Sequence, residues 1–139
     1  MILKDWKRTK TVNLIDYGQV GAGKIIEFIP LGKRPVVLPQ SRRTEGLVTV
    51  TVSGDSLRDM GVHDGDQLIC QTKFEKSEVK NGKLVVALLP CLGLVVKFFY
   101  QFKNKIILRS ANPRYEDLIY DGDLVEIKAI VIQSVKNWD

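Results

Sequence analysis

The chain has few of the residues that build metal sites, disulfide frameworks and histidine-based catalytic centres. Its 139 residues include one histidine, His63, and two cysteines, Cys70 and Cys91. Each cysteine lies in or beside an apolar stretch, without a second cysteine or a histidine nearby, so a zinc site has no ligand set. We expect two reduced thiols, although the spacing leaves a disulfide open, and we expect no metal and no cofactor.

Long apolar runs are also missing. The longest nearly uncharged stretch, residues 84–96, is interrupted by Pro90, Cys91 and Gly93 and is too short to span a bilayer. The amino-terminal sequence MILKDWKRTK carries charges but no apolar segment after them, which is not the pattern of a signal peptide. We therefore expect no membrane contact and a cytoplasmic location.

The composition is that of one ordinary globular domain, with 45% apolar and 27% charged residues. The net charge of +5 invites a nucleic-acid interpretation. The basic residues are scattered, however, and aromatic residues are not interleaved with them as a stacking platform requires. We do not expect this segment to bind nucleic acid directly.

Strand patterns dominate the sequence. Val48, Val50 and Val52 alternate with threonines, which is the period of a strand with one buried face. Turn sequences such as Asp-Gly and Asn-Gly separate the segments, and the predicted fold class is mostly β, with twisted antiparallel sheets and one or two short helical turns. The clearest helical turn covers residues 56–61, and further strands are predicted at residues 25–29, 36–38, 67–71, 83–89, 94–100, 105–109 and 124–135.

Two residues could carry chemistry. Ser56 follows the strand that ends near Gly54, and free backbone N–H groups at a helix start suit an oxyanion site, although such a serine is more often a simple N-cap. Because His63 lies in a turn and no Asp-x-x-His follows, a Ser-His-Asp triad is not predicted. Lys97 has apolar neighbours on both sides, so burial would favour its neutral form, unless strand alternation turns it outward.

Five short blocks occur in an order and at spacings that closely resemble the S24 peptidase domain of LexA-type repressors and UmuD. The resemblance covers residues 18–136, nearly the entire chain, and implies the LexA and signal-peptidase type of β-fold. The blocks are Val52-Ser-Gly-Asp-Ser-Leu-x-x-x-Gly-x-x-Asp-Gly-Asp66, Asn81-Gly-x-x-Val-Val-Ala87, Val95-Val-Lys97, Ser110-Ala-Asn-Pro-x-Tyr115 and Asp123-Leu-Val-Glu-Ile127.

The resemblance implies a serine endopeptidase that cleaves its own chain with a Ser-Lys dyad. Ser56 would be the nucleophile and neutral Lys97 the general base, while the backbone N–H groups of Asp55 and Ser56 would hold the oxyanion. Leu57 stands where methionine is commoner in the family, and the similar volume of the two side chains predicts little effect.

The resemblance also implies a scissile Ala-Gly bond about 34 residues before the serine, which here is Ala22-Gly23. Small residues let the backbone enter a narrow cleft, and Val20 would fill a shallow apolar pocket. The glycines nearby could instead form only a flexible turn. Residues 1–17 are interpreted as an arm or linker, and residues 18–139 as the autopeptidase and dimerisation domain with a cleavage loop at residues 18–30.

The partners are likewise implied by the resemblance. They are a second copy of the chain, for which we expect a surface on an edge strand at residues 124–135, a RecA filament as activator in the SOS response to DNA damage, and DNA only through a domain absent from this chain. A LexA-like repressor is the first interpretation. A UmuD-like polymerase subunit, a non-catalytic dimerisation module and a peptidase acting in trans are the alternatives.

Overall fold

The computed structural model describes residues 8–20 and 29–135. These residues form nine β-strands and three one-turn 3-10 helices, and among them no helix is long and apolar enough to cross a membrane. The strands are β1 (Thr9–Val20), β2 (Gly32–Pro39), β3 (Leu47–Val52), β4 (Gln67–Gln71), β5 (Leu84–Leu89), β6 (Gly93–Phe102), β7 (Lys105–Arg109), β8 (Leu118–Asp121) and β9 (Glu126–Val135), and the helices are Arg58–Met60, Lys76–Glu78 and Gly122–Leu124.

The mostly β fold class is confirmed. The nine strands form one sheet in the order β2-β1-β3-β4-β9-β5-β6-β7-β8. Neighbouring strands pair antiparallel except β1 and β3, which are parallel, so the sheet is mixed. The predicted strands at residues 67–71 and 105–109 match β4 and β7, whereas residues 25–28 of another predicted strand lie outside the described residues.

Residues 9–17, which we expected in an arm without a partner strand, belong to β1. This strand pairs with β2 on one side and with β3 on the other. Within these residues Leu14 is buried and packs with Val36 and Leu38 in a small core cluster. Most other side chains of β1 remain exposed or half-buried, which explains why the apolar periodicity of this segment is weak.

Strand β9 is not an edge strand, which corrects the expected position of residues 124–135. It is paired with β4 along one side and with β5 along the other, and the sheet ends at β2 and β8. Residues 130–135 of β9 pair with β4 and residues 126–130 pair with β5, so the two halves of the strand are paired on opposite sides. The surface for a second copy that we expected at residues 124–135 stays a prediction.

Strand β3 is buried on both faces, where the sequence predicted one buried face. Thr49 is fully buried, and its Oγ1 donates to Asp16 Oδ1 at 3.0 Å, which satisfies the hydroxyl. The valines on the other face join the largest core cluster, which also contains Leu57, Leu94 and Val96. The strand that leads to Ser56 is therefore held rigidly in the centre of the protein.

Candidate active site

Ser56 lies in a tight turn, residues 53–57, that follows β3; we call it the serine turn. The chain reverses at Gly54, whose φ of +97° lies in a region that L-residues rarely adopt. The Gly54 N–H donates to Asp64 Oδ1 at 2.8 Å, which holds the turn against the loop at residues 62–66. A Cβ on Gly54 would meet no atom within 4 Å, so it is the conformation and not the space that requires glycine here.

The helical turn predicted at residues 56–61 is present but shorter. The 3-10 helix spans Arg58–Met60 and closes on Gly61 at φ +80°. Its N-cap position is Leu57, without a side-chain capping bond, so the N-cap role considered for Ser56 is not the one it has here. Ser56 is half-buried, and the fully buried Leu57 fixes the turn to the core.

The Asp-Gly-Asp block that precedes β4 supports the serine turn from one side. Gly65 N donates to Val52 O, and Val52 N donates to Asp66 O, both at 2.8 Å. The buried Asp66 carboxylate accepts the backbone N–H of His63 at 2.9 Å, which closes the loop. His63 itself is exposed in this loop. The block thus has a structural role in holding the end of β3.

Residues 110–115, which we call the 110–115 segment, support the serine turn from the other side. The buried Asn112 donates from Nδ2 to Asp55 O at 2.8 Å, and the Tyr115 hydroxyl donates to Asp55 Oδ1. Asp59 N donates to Ala111 O at 2.7 Å. The hydrogen bond from Tyr115 lowers the pKa of the Asp55 carboxyl group, which favours the ionised form of that carboxylate.

Lys97 lies in β6 and is 7% exposed, so it is buried and not turned outward into solvent. Its Nζ donates to Ser110 Oγ at 2.6 Å and lies 5.5 Å from the centroid of the Tyr115 ring. Burial lowers the pKa of the Lys97 amine, because desolvation disfavours its charged form. The amine borders a groove of about 440 Å³ that is lined by Leu92, Val95, Lys97, Arg114, Tyr115, Glu116 and Leu118.

Ser56 and Lys97, which the sequence predicted as partners, are connected through the 110–115 segment. That segment bonds the residue before Ser56 and also accepts the Lys97 amine. Within the described part of the chain, Lys97 Nζ donates to Ser110 and not to Ser56. Catalytic hydrogen bonds are often formed only when substrate enters, so this geometry is compatible with a dyad at rest.

Ser110 is the site residue that the sequence analysis did not single out. The β6–β7 register pairs Phe98 with Arg109, and the next residues in each direction, Lys97 and Ser110, are joined by the hydrogen bond between their side chains. Directly opposite residues of an antiparallel pair have neighbouring side chains. The short turn after Phe102 fixes which residues of β6 and β7 are paired, so this register could have been predicted from the sequence.

The predicted cleavage site is only partly visible. Ala22 and Gly23 lie outside the described residues, but Val20 is the last residue of β1 and is 1% exposed. It is paired with Val52 in the parallel ladder, and its carbonyl oxygen accepts Ser53 N–H at 2.9 Å. Val20 thus packs in the main core cluster, although we had expected it in a shallow pocket of the cleft.

Truncation of Leu57 should destabilise the whole domain. Because this side chain is fully buried in the core, Leu57→Ala is expected to lower the free energy of unfolding by about 2–5 kcal/mol. Leu57→Met conserves volume and should cost less than about 1.5 kcal/mol. Urea unfolding of both variants measures the difference, and equal losses for alanine and methionine would contradict this role of Leu57.

Burial of Lys97 should leave a signature in stability against pH. Because the pKa of the folded amine lies below its ordinary 10.5, the folded state binds fewer protons, and the parent gains stability as pH rises toward 10.5. Lys97→Met lacks this dependence. In thermal melts between pH 6 and 10.5, the melting temperature of Lys97→Met minus that of the parent should fall as pH rises from the pKa of the folded amine toward 10.5. A difference that is constant with pH would contradict the burial argument.

Comparison with known proteins agrees with the arrangement of these blocks. The family model described as peptidase S24-like matches residues 14–132. The LexA repressor of Syntrophobacter fumaroxidans is 34% identical over 94% of this chain and 61% of its own length, and that of Acidiphilium cryptum is 32% identical over 88% and 52%. The LexA repressor of Pelagibacter ubique is 27% identical over 99% and 62%. The chain spans about half to three fifths of these relatives, and over that length it belongs to the peptidase S24-like family as a LexA-like domain.

Proposed function

We propose that this domain cleaves its own chain at the Ala22-Gly23 bond with Ser56 as nucleophile and Lys97 as general base. The observation that carries the proposal is the 110–115 segment, which contacts the serine turn and the buried lysine at once. A buried lysine with a lowered pKa, beside a groove and one short segment away from the serine turn, is the arrangement that serine-lysine chemistry needs.

The proposed reaction is an acyl transfer in two steps. Ser56 Oγ attacks the Ala22 carbonyl carbon while the neutral Lys97 amine takes the hydroxyl proton, and backbone N–H groups of Asp55 and Ser56 stabilise the oxyanion. The C–N bond then breaks, and the Lys97 ammonium returns the proton to the Gly23 amine. Water attacks the resulting ester with Lys97 again as base, which frees the Ala22 carboxylate and Ser56.

The anchoring of Val20 supports cleavage within the same chain. Val20 is fixed beside Val52, on the strand that leads into the serine turn. Two extended residues span at most about 7 Å, so the scissile bond is tethered to Val20 by a short length of chain. Such tethering supplies a high effective concentration of substrate, which explains why control must come from the conformation of the cleavage segment.

The cellular role that we propose follows the LexA repressors to which the chain is similar. Cleavage after Ala22 would separate this domain from a DNA-binding part that precedes it in a longer repressor. Operator affinity would fall because two half-sites are no longer linked through a homodimer. We propose a RecA filament as the cytoplasmic activator in the SOS response.

Intact mass against time tests the proposal. The purified protein is incubated at pH 7 and pH 10, alone and with RecA filaments on single-stranded DNA, while circular dichroism monitors the fold. We expect two products, residues 1–22 and 23–139, which form faster at pH 10 and with the filament. A folded chain that stays whole in all four conditions would exclude self-cleavage and favour a dimerisation module. Cleavage at high pH that the filament does not accelerate would exclude RecA as the activator but would leave the self-cleavage proposal in place.

A cis reaction is distinguished from a trans reaction in the same assay. Isotope-labelled Ser56→Ala protein is mixed with unlabelled parent protein. We expect the labelled chain to remain whole while the parent is cut, with a first-order rate that does not depend on concentration. Cleavage of the labelled chain would show a peptidase that acts in trans.

A further inference from the structure

The geometry points to Ser110 as a positioning residue that holds the Lys97 amine for the reaction with Ser56; this inference rests on the function proposed above. The Nζ to Oγ distance of 2.6 Å is short for a hydrogen bond between nitrogen and oxygen. Lys97 belongs to β6, and Ser110 directly follows Arg109, the last residue of β7, which pairs with Phe98 beside Lys97. The end of the paired strands β6 and β7 therefore brings the two side chains together.

The direction of this hydrogen bond has a chemical consequence. A neutral amine has two N–H donors and one lone pair, and only the lone pair can accept the proton of a nucleophilic serine. When Ser110 Oγ accepts one N–H, the lone pair must point away from Ser110. Ser110 thereby restricts the rotation of the Lys97 amine and leaves the lone pair of that amine free to accept a proton.

The place of Ser110 in the chain strengthens the inference. Ser110 begins the 110–115 segment, and Asn112 and Tyr115 further along it bond Asp55, next to the nucleophile. Movement of this segment would thus displace the lysine and the serine turn together. The 110–115 segment therefore links the position of Lys97 to the position of the serine turn. Ser110 is the residue of this segment that contacts Lys97.

Ser110 should also raise the pKa of Lys97, whereas burial lowers it. An acceptor stabilises the ammonium more than the amine, so Ser110 opposes the effect of burial. The other charged or titratable groups that border the groove with Lys97 are Arg114, Tyr115 and Glu116, which are all exposed. Removal of the Ser110 hydroxyl leaves these groups in place and isolates its contribution.

The test compares the first-order rate of self-cleavage against pH for the parent, Ser110→Ala, Ser110→Thr and the exposed control Ser134→Ala. Ser110→Ala should lower the plateau rate about tenfold, as loss of one hydrogen bond predicts, and should move the half-maximal pH downward. Ser110→Thr, which keeps a hydroxyl group, should restore both values, and Ser134→Ala should match the parent. Ser110→Cys, which is close in volume to serine but a poor acceptor, replaces the alanine variant if that variant does not fold.

A second measurement does not depend on cleavage. The Lys97 amine is titrated by the chemical shift of its labelled Cε in the uncleavable Ser56→Ala protein, with and without Ser110→Ala, and Lys97→Met assigns the signal. A lower pKa without the Ser110 hydroxyl supports the contact. An unchanged pKa, or a Ser110→Ala protein with the rate and midpoint of the parent, overturns it. If the parent does not cleave itself, the proposed function fails, and this titration alone decides the role of Ser110.

Discussion

Ser56→Ala should reduce self-cleavage by about 10⁴-fold or more, which leaves the chain intact over the period in which the parent is fully cut. The reason is that the alanine variant keeps the turn at Gly54 and the contacts of Asp55 but has no hydroxyl to attack the Ala22 carbonyl. Intact mass at pH 10, where the parent reaction is expected to be fastest, gives the ratio of the two rates.

The matched control for this variant is Ser53→Ala, three residues earlier in the same turn. Ser53 contributes its backbone N–H to Val20 O, and alanine keeps that group. We expect the Ser53→Ala rate to lie close to the parent rate. If Ser56→Ala still produced the fragment that begins at Gly23, another group would have to be the nucleophile, and the proposed mechanism would be wrong.

The second large effect concerns the protonation of Lys97. Only the neutral amine can take the Ser56 proton, so below the pKa of Lys97 the rate should rise about tenfold for each pH unit and then reach a plateau. Burial lowers this pKa, so the plateau should begin below the ordinary 10.5 of a lysine. A rate profile whose midpoint differs from the pKa measured for the Lys97 amine would exclude lysine as the base.

Lys97→Arg separates the base from the mere presence of a cation. A guanidinium stays protonated throughout this pH range, so this variant should lose at least about 10⁴-fold in rate on the plateau, where the parent lysine is neutral. Thermal melts establish that the variant is folded. Substantial cleavage by a folded Lys97→Arg protein would show that Lys97 acts only through its charge.

The mostly β class and most strand positions followed from the sequence itself. The strands at residues 67–71 and 105–109 were predicted with the observed bounds, because short apolar runs between turn sequences are a local signal. The family was also evident from the spacing of its blocks. The requirement for glycine at the turn before Ser56 is also a local feature, since a positive φ is a property of one residue.

Other features depend on which strands become neighbours, and local patterns do not contain that information. Strand β1 was missed because few of its side chains are buried, and its partners β2 and β3 provide its hydrogen bonds. Strand β9 was expected at an edge but lies between β4 and β5 in the strand order, which is determined only when the complete sheet assembles.

The candidate site shows the same division. Residue type and local surroundings made Ser56 and Lys97 candidates, and the family resemblance implied their roles as nucleophile and base. The sequence did not show that Lys97 is buried against Ser110 and Tyr115, or that Asn112 and Tyr115 hold the serine turn. The contacts of Asn112 and Tyr115 with Asp55 join residues 57 and 60 positions apart. The sequence alone determined which groups are available for chemistry, and the tertiary structure decided which of them meet, because contacts over such separations exist only in the folded sheet.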